Sequence, residues 1–316
     1  MEYRQLGRSG LKVSVLGLGT NQFGGRVDQE GVAAIMGQAK ETGVNFIDTA
    51  DGYSRGLSEE YIGRALHTDR QWWIVGTKVS GPQGEGPNDR GNSRKHIMDG
   101  VEAILRRLHT DYIDLYQIHF WDPTTPVDET LLALDDLVRQ GKVRYIGCSN
   151  FAAWQLVESL HTSKQAGLHS YVSVQPAYNL FNRDIERELM PACEKYSVSI
   201  IPYSPLAGGF LTGKYRRGEP PPEGTRYASA RGPMASRVLN DRNYDRVEKL
   251  QAFAQERGHD VGELAVAWLA SQPMVSPVIC GATKPEQVME NAQSLEWKLS
   301  EDDRKALREI IDARDF

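Results

Sequence analysis

The stretch Asn45-Phe46-Ile47-Asp48-Thr49-Ala50-Asp51-Gly52-Tyr53 opens as a short apolar strand and breaks into a polar turn. A run such as 44–47 reads as a buried strand, and Gly52 gives the backbone freedom to turn after it. Asp48 then falls at the carboxyl end of the strand, with Tyr53 folded back over it from the loop. In parallel α/β proteins that end is where ligands bind and chemistry is done. Taken alone, the nonapeptide also reads as an ordinary loop, with Asp48 capping a turn and Tyr53 packed on the rim. The endings of the other strands decide between the two.

Short apolar runs recur along the chain at 15–18, 44–47, 72–77, 113–118, 143–148, 171–174, 199–202 and 275–280. Amphipathic segments separate them at 28–42, 58–67, 93–108, 127–140, 152–160, 185–196 and 261–270, with another at 285–294 after the last strand. Asp28, Ser58 and Ser93 are candidate N-caps, Gly43 and Gly141 follow helix ends, and Pro285 suits a first turn. Two further helices are expected at 244–257 and 300–312. Strand–helix alternation without hairpins implies parallel pairing, and eight such units imply a (β/α)8 TIM barrel, a single domain over 1–316. Residues 3–6, the turn Gly7-Arg8-Ser9-Gly10 and residues 11–13 form an N-terminal β-hairpin ahead of it. The competing open sheet places Gly-x-Gly-x-x-Gly after its first strand. Here that position reads Gly17-Leu18-Gly19-Thr20-Asn21-Gln22-Phe23-Gly24, with the third glycine displaced.

The chain has 316 residues, 40% hydrophobic and 25% charged, with a net charge of -5. An acidic chain without a basic run argues against nucleic-acid binding, so an anionic ligand needs locally placed cations. Three widely spaced cysteines, Cys148, Cys193 and Cys280, suit reduced thiols. With no signal-like segment at 1–5 and no apolar span long enough for a membrane, the expectation is a cytoplasmic protein. Oligomeric state is not legible. Two long connections, 81–92 and 206–243, follow strand ends and are candidate lids.

The strand ends carry polar groups at one register: Gly19-Thr20-Asn21, Asp48, Lys78, His119, Ser149-Asn150, Gln175, Tyr203-Ser204 and Gly281. Singly, Lys78 reads as a solvated terminus and His119 as a core histidine. Asp48, Tyr53, Lys78 and His119 converging on one barrel mouth read as a proton-transfer site built on a tyrosine. A phenol with a pKa of about 10 is a poor acid near neutrality. A nearby lysine is expected to lower that value, Asp48 to balance the lysine, and His119 to donate a hydrogen bond to a substrate oxygen. No nucleophile–base pair and no metal-binding motif is visible, so a cofactor is implied.

At this point the chain resembles the aldo-keto reductases. The resemblance rests on Phe46-Ile47-Asp48-Thr49-Ala50 with Tyr53, Thr77-Lys78, Tyr116-Gln117-Ile118-His119, and Gly147-Cys148-Ser149-Asn150-Phe151. It continues through Tyr203-Ser204-Pro205-Leu206 and Gly281-Ala282-Thr283-Lys284-Pro285-Glu286-Gln287 to Glu290-Asn291. It implies an NADPH-dependent reductase of aldehydes or ketones, in which Asp48, Tyr53, Lys78 and His119 form the catalytic set and Tyr53 is the proton donor. It also implies that Ser149, Asn150 and Gln175 hold the carboxamide and that Tyr203 stacks on the nicotinamide. Gly19, Thr20 and Asn21 would border the same cofactor. Ser204, Pro205, Leu206 and Gly208 would hold the pyrophosphate, with Lys214 and Arg226 as phosphate contacts; one of Lys214, Arg226 and Lys284 would neutralise the 2′-phosphate. Gly281, Thr283, Lys284 and Gln287 would surround the 2′-phosphate, with Glu290 and Asn291 at the adenine. The segment 208–215 approaches a Walker loop but carries Tyr215 where magnesium needs Ser or Thr. Phe23 and Trp121, each just beyond a strand end, are expected to line the substrate pocket for a small-molecule carbonyl.

A second implication is a regulatory role, because potassium-channel β-subunits share the long-chain pattern and the cofactor. The beginning of this sequence shows no extended segment that could plug a channel, which favours the enzyme. A Schiff-base aldolase using Lys78 is weaker, because Asp48 would keep the lysine protonated.

Overall fold

The protein is described by a computed structural model over residues 1–66, 69–229 and 238–312. The barrel is assembled from β3 (Leu16–Gly19), β4 (Phe46–Asp48), β5 (Ile74–Val79), β6 (Ile113–Ile118), β7 (Val143–Ser149), β8 (Ser173–Gln175), β9 (Ser199–Ile200) and β10 (Val278–Gly281). They follow the hairpin strands β1 (Tyr3–Gln5) and β2 (Lys12–Ser14). All eight barrel strands are parallel, in the order β10-β3-β4-β5-β6-β7-β8-β9. The two ends of the sheet meet: Ile200 bridges Val275 in parallel, and the Ile200 amide donates to Met274 O at 2.8 Å. The Ile279 amide likewise donates to Pro202 O at 3.1 Å. The expected (β/α)8 barrel is the fold observed.

The helices are α1 (Gln29–Glu41), α2 (Leu57–Leu66), α3 (Arg94–Leu108), α4 (Val127–Arg139), α5 (Ala153–Ala166), α6 (Leu189–Tyr196), α7 (Arg226–Ser229), α8 (Asp241–Gln255), α9 (Val261–Ala270), α10 (Pro285–Gln293) and α11 (Glu301–Asp312). Asp28 and Ser93 cap α1 and α3 by accepting from the Gly31 and His96 amides. Ser58 does not cap α2. It is buried inside the first turn, 3.0 Å from the hydroxyls of both Thr20 and Thr49, tying that helix to the ends of β3 and β4.

The hairpin closes the barrel's amino-terminal end. Leu6 and Val13 pack with Phe46, Leu115, Ile201 and Ile279 in a small apolar cluster separate from the main core. Gly7 sits at φ +56, and a Cβ there would lie 2.1 Å from Val172 O, so the turn fits only as glycine. With that end plugged, the open face is the carboxyl one.

Several boundaries differ from the sequence reading, each for a local reason. The last strand begins at Val278 rather than 275, because Pro277 cannot donate to a ladder. Helix α5 runs six residues beyond the expected 160. Its buried face is Leu156, Ser159 and Ser163, whose two hydroxyls donate to carbonyls four residues back, so a polar stripe hid the helical period. The segment 185–196 splits into a 3-10 turn, Asp184–Glu186, and α6. Part of the candidate lid 206–243, namely 230–237, lies outside the described residues.

Candidate active site

The register of the sheet sets the floor of the site. Gly19 pairs with Asp48, Asp48 with Gly76, Lys78 with Gln117 and Ser149 with Gln175. The strand β5 runs two residues past the expected 77, so Lys78 lies inside the sheet and is 0% exposed. A buried ammonium needs compensation. Here it donates to Asp48 Oδ2 at 2.9 Å and Thr49 O at 2.8 Å, and pairs with Asp48 Oδ1 at 2.8 Å. Gln175 completes the carboxylate by donating from Nε2 to Asp48 Oδ1 at 2.7 Å. Burial pushes the Lys78 pKa down, but Asp48 and Tyr53 together outweigh it and the net shift is upward. Lys78 is therefore a fixed positive charge.

Tyr53 begins a 3-10 turn, Tyr53–Gly56, directly after β4. The turn hangs on the strand ends: the Asp51 amide donates to Lys78 O at 3.2 Å and the Tyr53 amide to Ala50 O at 3.1 Å. Ser54 and Arg55 both adopt left-handed backbone at φ 48 and φ 56, a strained arrangement for residues with side chains. The turn brings the Tyr53 hydroxyl to 3.4 Å from Lys78 Nζ. Contrary to the sequence expectation, the Tyr53 pKa is raised. Burial is the largest cause and exceeds the lowering by Lys78. Sequence reasoning counted the lysine and could not count the burial.

His119 stands opposite, its ring 6.2 Å from that of Tyr53 and edge-on to it. Its backbone is held by Val79 O and by the Ser80 hydroxyl. Burial, helped by the Lys78 charge, depresses its pKa to about 3, so the imidazole is neutral. Asp48, Tyr53 and His119 border a cavity of about 650 Å³, with Lys78 buried beneath them.

Its walls take in Gly19, Thr20, Asn21, Ser149, Asn150, Gln175, Tyr203, Ser204, Pro205, Leu206, Gly208, Lys214, Arg226, Gly281, Thr283 and Gln287. The Tyr203 hydroxyl donates to Asn150 Oδ1 at 2.8 Å, and Asn150 Nδ2 donates to His119 O at 3.1 Å. Asn150 and Ser204 are left-handed at φ 58 and φ 57. The turn after Leu206 is close-packed: a Cβ at Gly208 would meet the Tyr227 hydroxyl at 2.5 Å, and one at Gly209 would meet Lys214 Nζ at 2.9 Å. Thr283 donates to Gln287 Oε1 through both its amide, at 2.7 Å, and its hydroxyl.

Six of the sequence candidates do not line the cavity, the first being Lys78, which is buried beneath it. Phe23 is fully buried, its chain turned inward by a bridge to Val27. Trp121 packs edge-on against Phe151 and Trp154. Gln22 and Phe120 take their places on the wall. Phe120 is half-exposed and lies flat on His119 at 4.3 Å. Strand alternation would set 119 and 121 on one side, but the chain leaves strand geometry after Ile118. Lys284 is the exposed N-cap residue of α10, and Glu290 and Asn291 lie further along that helix, outside the wall. Arg26, Glu223, Gly224 and Thr225 also border the cavity and carried no motif signal.

Among the described residues no helix is long and apolar enough to cross a membrane. The family model described as the Aldo/keto reductase family matches residues 15–312. A probable voltage-gated potassium channel subunit beta of Oryza sativa subsp. japonica is 39% identical over 302 residues, covering 94% of this chain and 92% of that protein. The uncharacterized oxidoreductase YrpG of Bacillus subtilis is 36% identical over 322 residues, covering 98% and 96%. Protein tas of Escherichia coli is 34% identical over 337 residues, covering 96% and 95%.

Proposed function

The chain belongs to the aldo/keto reductase family, and on that premise we propose that it is an oxidoreductase that reduces aldehydes or ketones with NADPH, Tyr53 giving the proton. The observation that carries this reading is the Tyr53 hydroxyl 3.4 Å from a fully buried Lys78, which Asp48 holds charged. A raised pKa keeps Tyr53 protonated at neutral pH, the state a proton donor needs. As the proton leaves, negative charge develops on the phenol oxygen, and the Lys78 ammonium already stands beside it. His119, neutral, has one ring N–H with which to hold the carbonyl oxygen, and no imidazolium proton to compete with Tyr53. Phe120 offers an apolar face beside them.

The cavity fits a nicotinamide dinucleotide in the chemistry of its wall. Ser149, Asn150 and Gln175 would orient the carboxamide and Tyr203 would cover the ring. The left-handed turn at Ser204–Gly208, with Lys214 and Arg226, would take the pyrophosphate. Thr283 and Gln287 at the start of α10 would face the 2′-phosphate, with Lys284 adding charge and Glu290 and Asn291 near the adenine. When bound, this cofactor supplies the hydride. The test is turnover of a panel of aldehydes and ketones with NADPH and with NADH. Reduction with NADPH preferred supports the reading; no turnover of any carbonyl, with NADPH still bound, contradicts it.

That last outcome would favour a second reading, a cofactor-binding regulatory subunit. Its support is the similarity to proteins named as channel β-subunits.

A further inference from the structure

Behind Tyr53, on the side away from the cavity, lies a second set of ionic groups. Glu59 of α2 is fully buried and doubly held: Oε1 accepts from the Thr77 hydroxyl at 2.5 Å and Oε2 from Arg107 Nε of α3 at 2.7 Å. Asp51 is 1% exposed, and among the described residues neither carboxyl oxygen has a hydrogen-bond partner. The neighbouring Gly52 amide lies close without completing a bond.

Asp51 stands two residues before Tyr53, with its own amide on Lys78 O. The ionisable groups facing it are Glu59 from α2, Arg107 from α3, Lys78 from β5, Tyr116 from β6 and Tyr53 in its own turn. The buried charges pair off without it. Asp48 takes Lys78 and Glu59 takes Arg107, which leaves Asp51 as a carboxyl in excess of the cations. A buried, unpaired carboxyl holds its proton.

We propose that Asp51 is a positioning residue that sets the proton affinity of Tyr53 through its own charge, releasing the phenol's proton more easily when neutral and holding it when ionised. Burial first, and then Glu59, raise the Asp51 pKa to about 7, so the change of state falls in the physiological range. An ionised Asp51 raises the Tyr53 pKa further, as does Asp48. No covalent step is involved; Asp51 only gains or loses a proton. The proposal rests on Tyr53 as the proton donor for its relevance to turnover, but not for its test.

The test reads the phenol directly. A multiply fluorinated tyrosine carried at position 53 brings the phenol's titration into an accessible range, followed by fluorine NMR. In the otherwise unchanged chain the signal should show a small inflection near pH 7 before the phenol titrates. His119, neutral down to about pH 3, does not produce it. In Asp51→Asn that inflection should vanish and the phenol pKa should fall, the direction that loss of a like charge gives. An unchanged pKa and an unchanged neutral region would overturn the proposal. If Asp51→Asn does not fold, the neutral inflection in the unchanged chain decides alone, its absence being contradiction. A phenol pKa that moves while the pH profile of carbonyl reduction stays fixed supports Asp51's role and contradicts Tyr53's part in turnover.

Discussion

At the floor of the cavity, Asp48, Lys78 and Gln175 are buried and bonded to one another through one carboxylate. At the outer wall, Lys214 and Arg226 stand exposed on the connection after β9, and just beyond the wall Lys284 at the start of α10 is exposed too. The floor is held together by the protein's own groups, and its energetics are those of a protein interior. The wall carries cations in water, where a bound anion must compete with solvent and salt. A substitution in the floor should therefore cost stability and rate together, whereas one in the wall should change affinity alone.

Lys78→Met probes the floor and should have the largest effect. It strands Asp48 without its counter-charge, a loss of about 3–5 kcal/mol for a broken buried pair, and it removes the charge beside the phenolate. Denaturant unfolding and carbonyl turnover should both fall. Loss of turnover at unchanged stability would mean that the floor is not the interior-like region described.

Asp51→Asn should move stability in the opposite direction. The folded-state pKa is about 7, against an ordinary value of 3.8. A raised carboxyl pKa contributes stability that is complete below about 3.8 and lost as pH rises through about 7. Relieving a shift of about three units is worth about 4 kcal/mol at alkaline pH. Unfolding at pH 8 and pH 5 should show the variant gaining at the higher pH relative to the parent.

His119 supplies a smaller test of the floor. Burial and Lys78 depress its pKa from 6.5 to about 3, so a stability contribution present above 6.5 is lost as pH falls toward 3. Its ring resonances should not titrate between pH 5 and 8. The smallest effect belongs just beyond the wall: Lys284→Ala should weaken NADPH by several-fold, about 1 kcal/mol for one exposed charge. NADH should be unaffected, as should stability. Equal losses for both cofactors would remove Lys284 from the 2′-phosphate.

The same division explains what could be read from the sequence. The floor lies on strands, whose period and polar endings are visible, so the places of Asp48, Lys78, Ser149 and Gln175 follow from strand position. Side-chain direction beyond the strand ends is set by loop packing, so Trp121 was expected where Phe120 stands, and Phe23 where Gln22 stands. Asp51 was in the opening stretch all along. Its isolation depends on Glu59 having already taken Arg107, a pairing between α2 and α3 that no spacing in the sequence announces. The direction of the Tyr53 shift was missed for the same reason, since burial is a property of the assembled turn.

The central claim is that Tyr53 delivers the proton. Tyr53→Phe keeps the ring and removes only the hydroxyl, so packing and NADPH binding, followed by fluorescence quenching, should persist. The rate of aldehyde reduction should fall by about 10²–10⁴-fold, the usual worth of a general acid. Reduction at the parental rate by a variant that still binds NADPH would contradict the account and make His119 the group to test next.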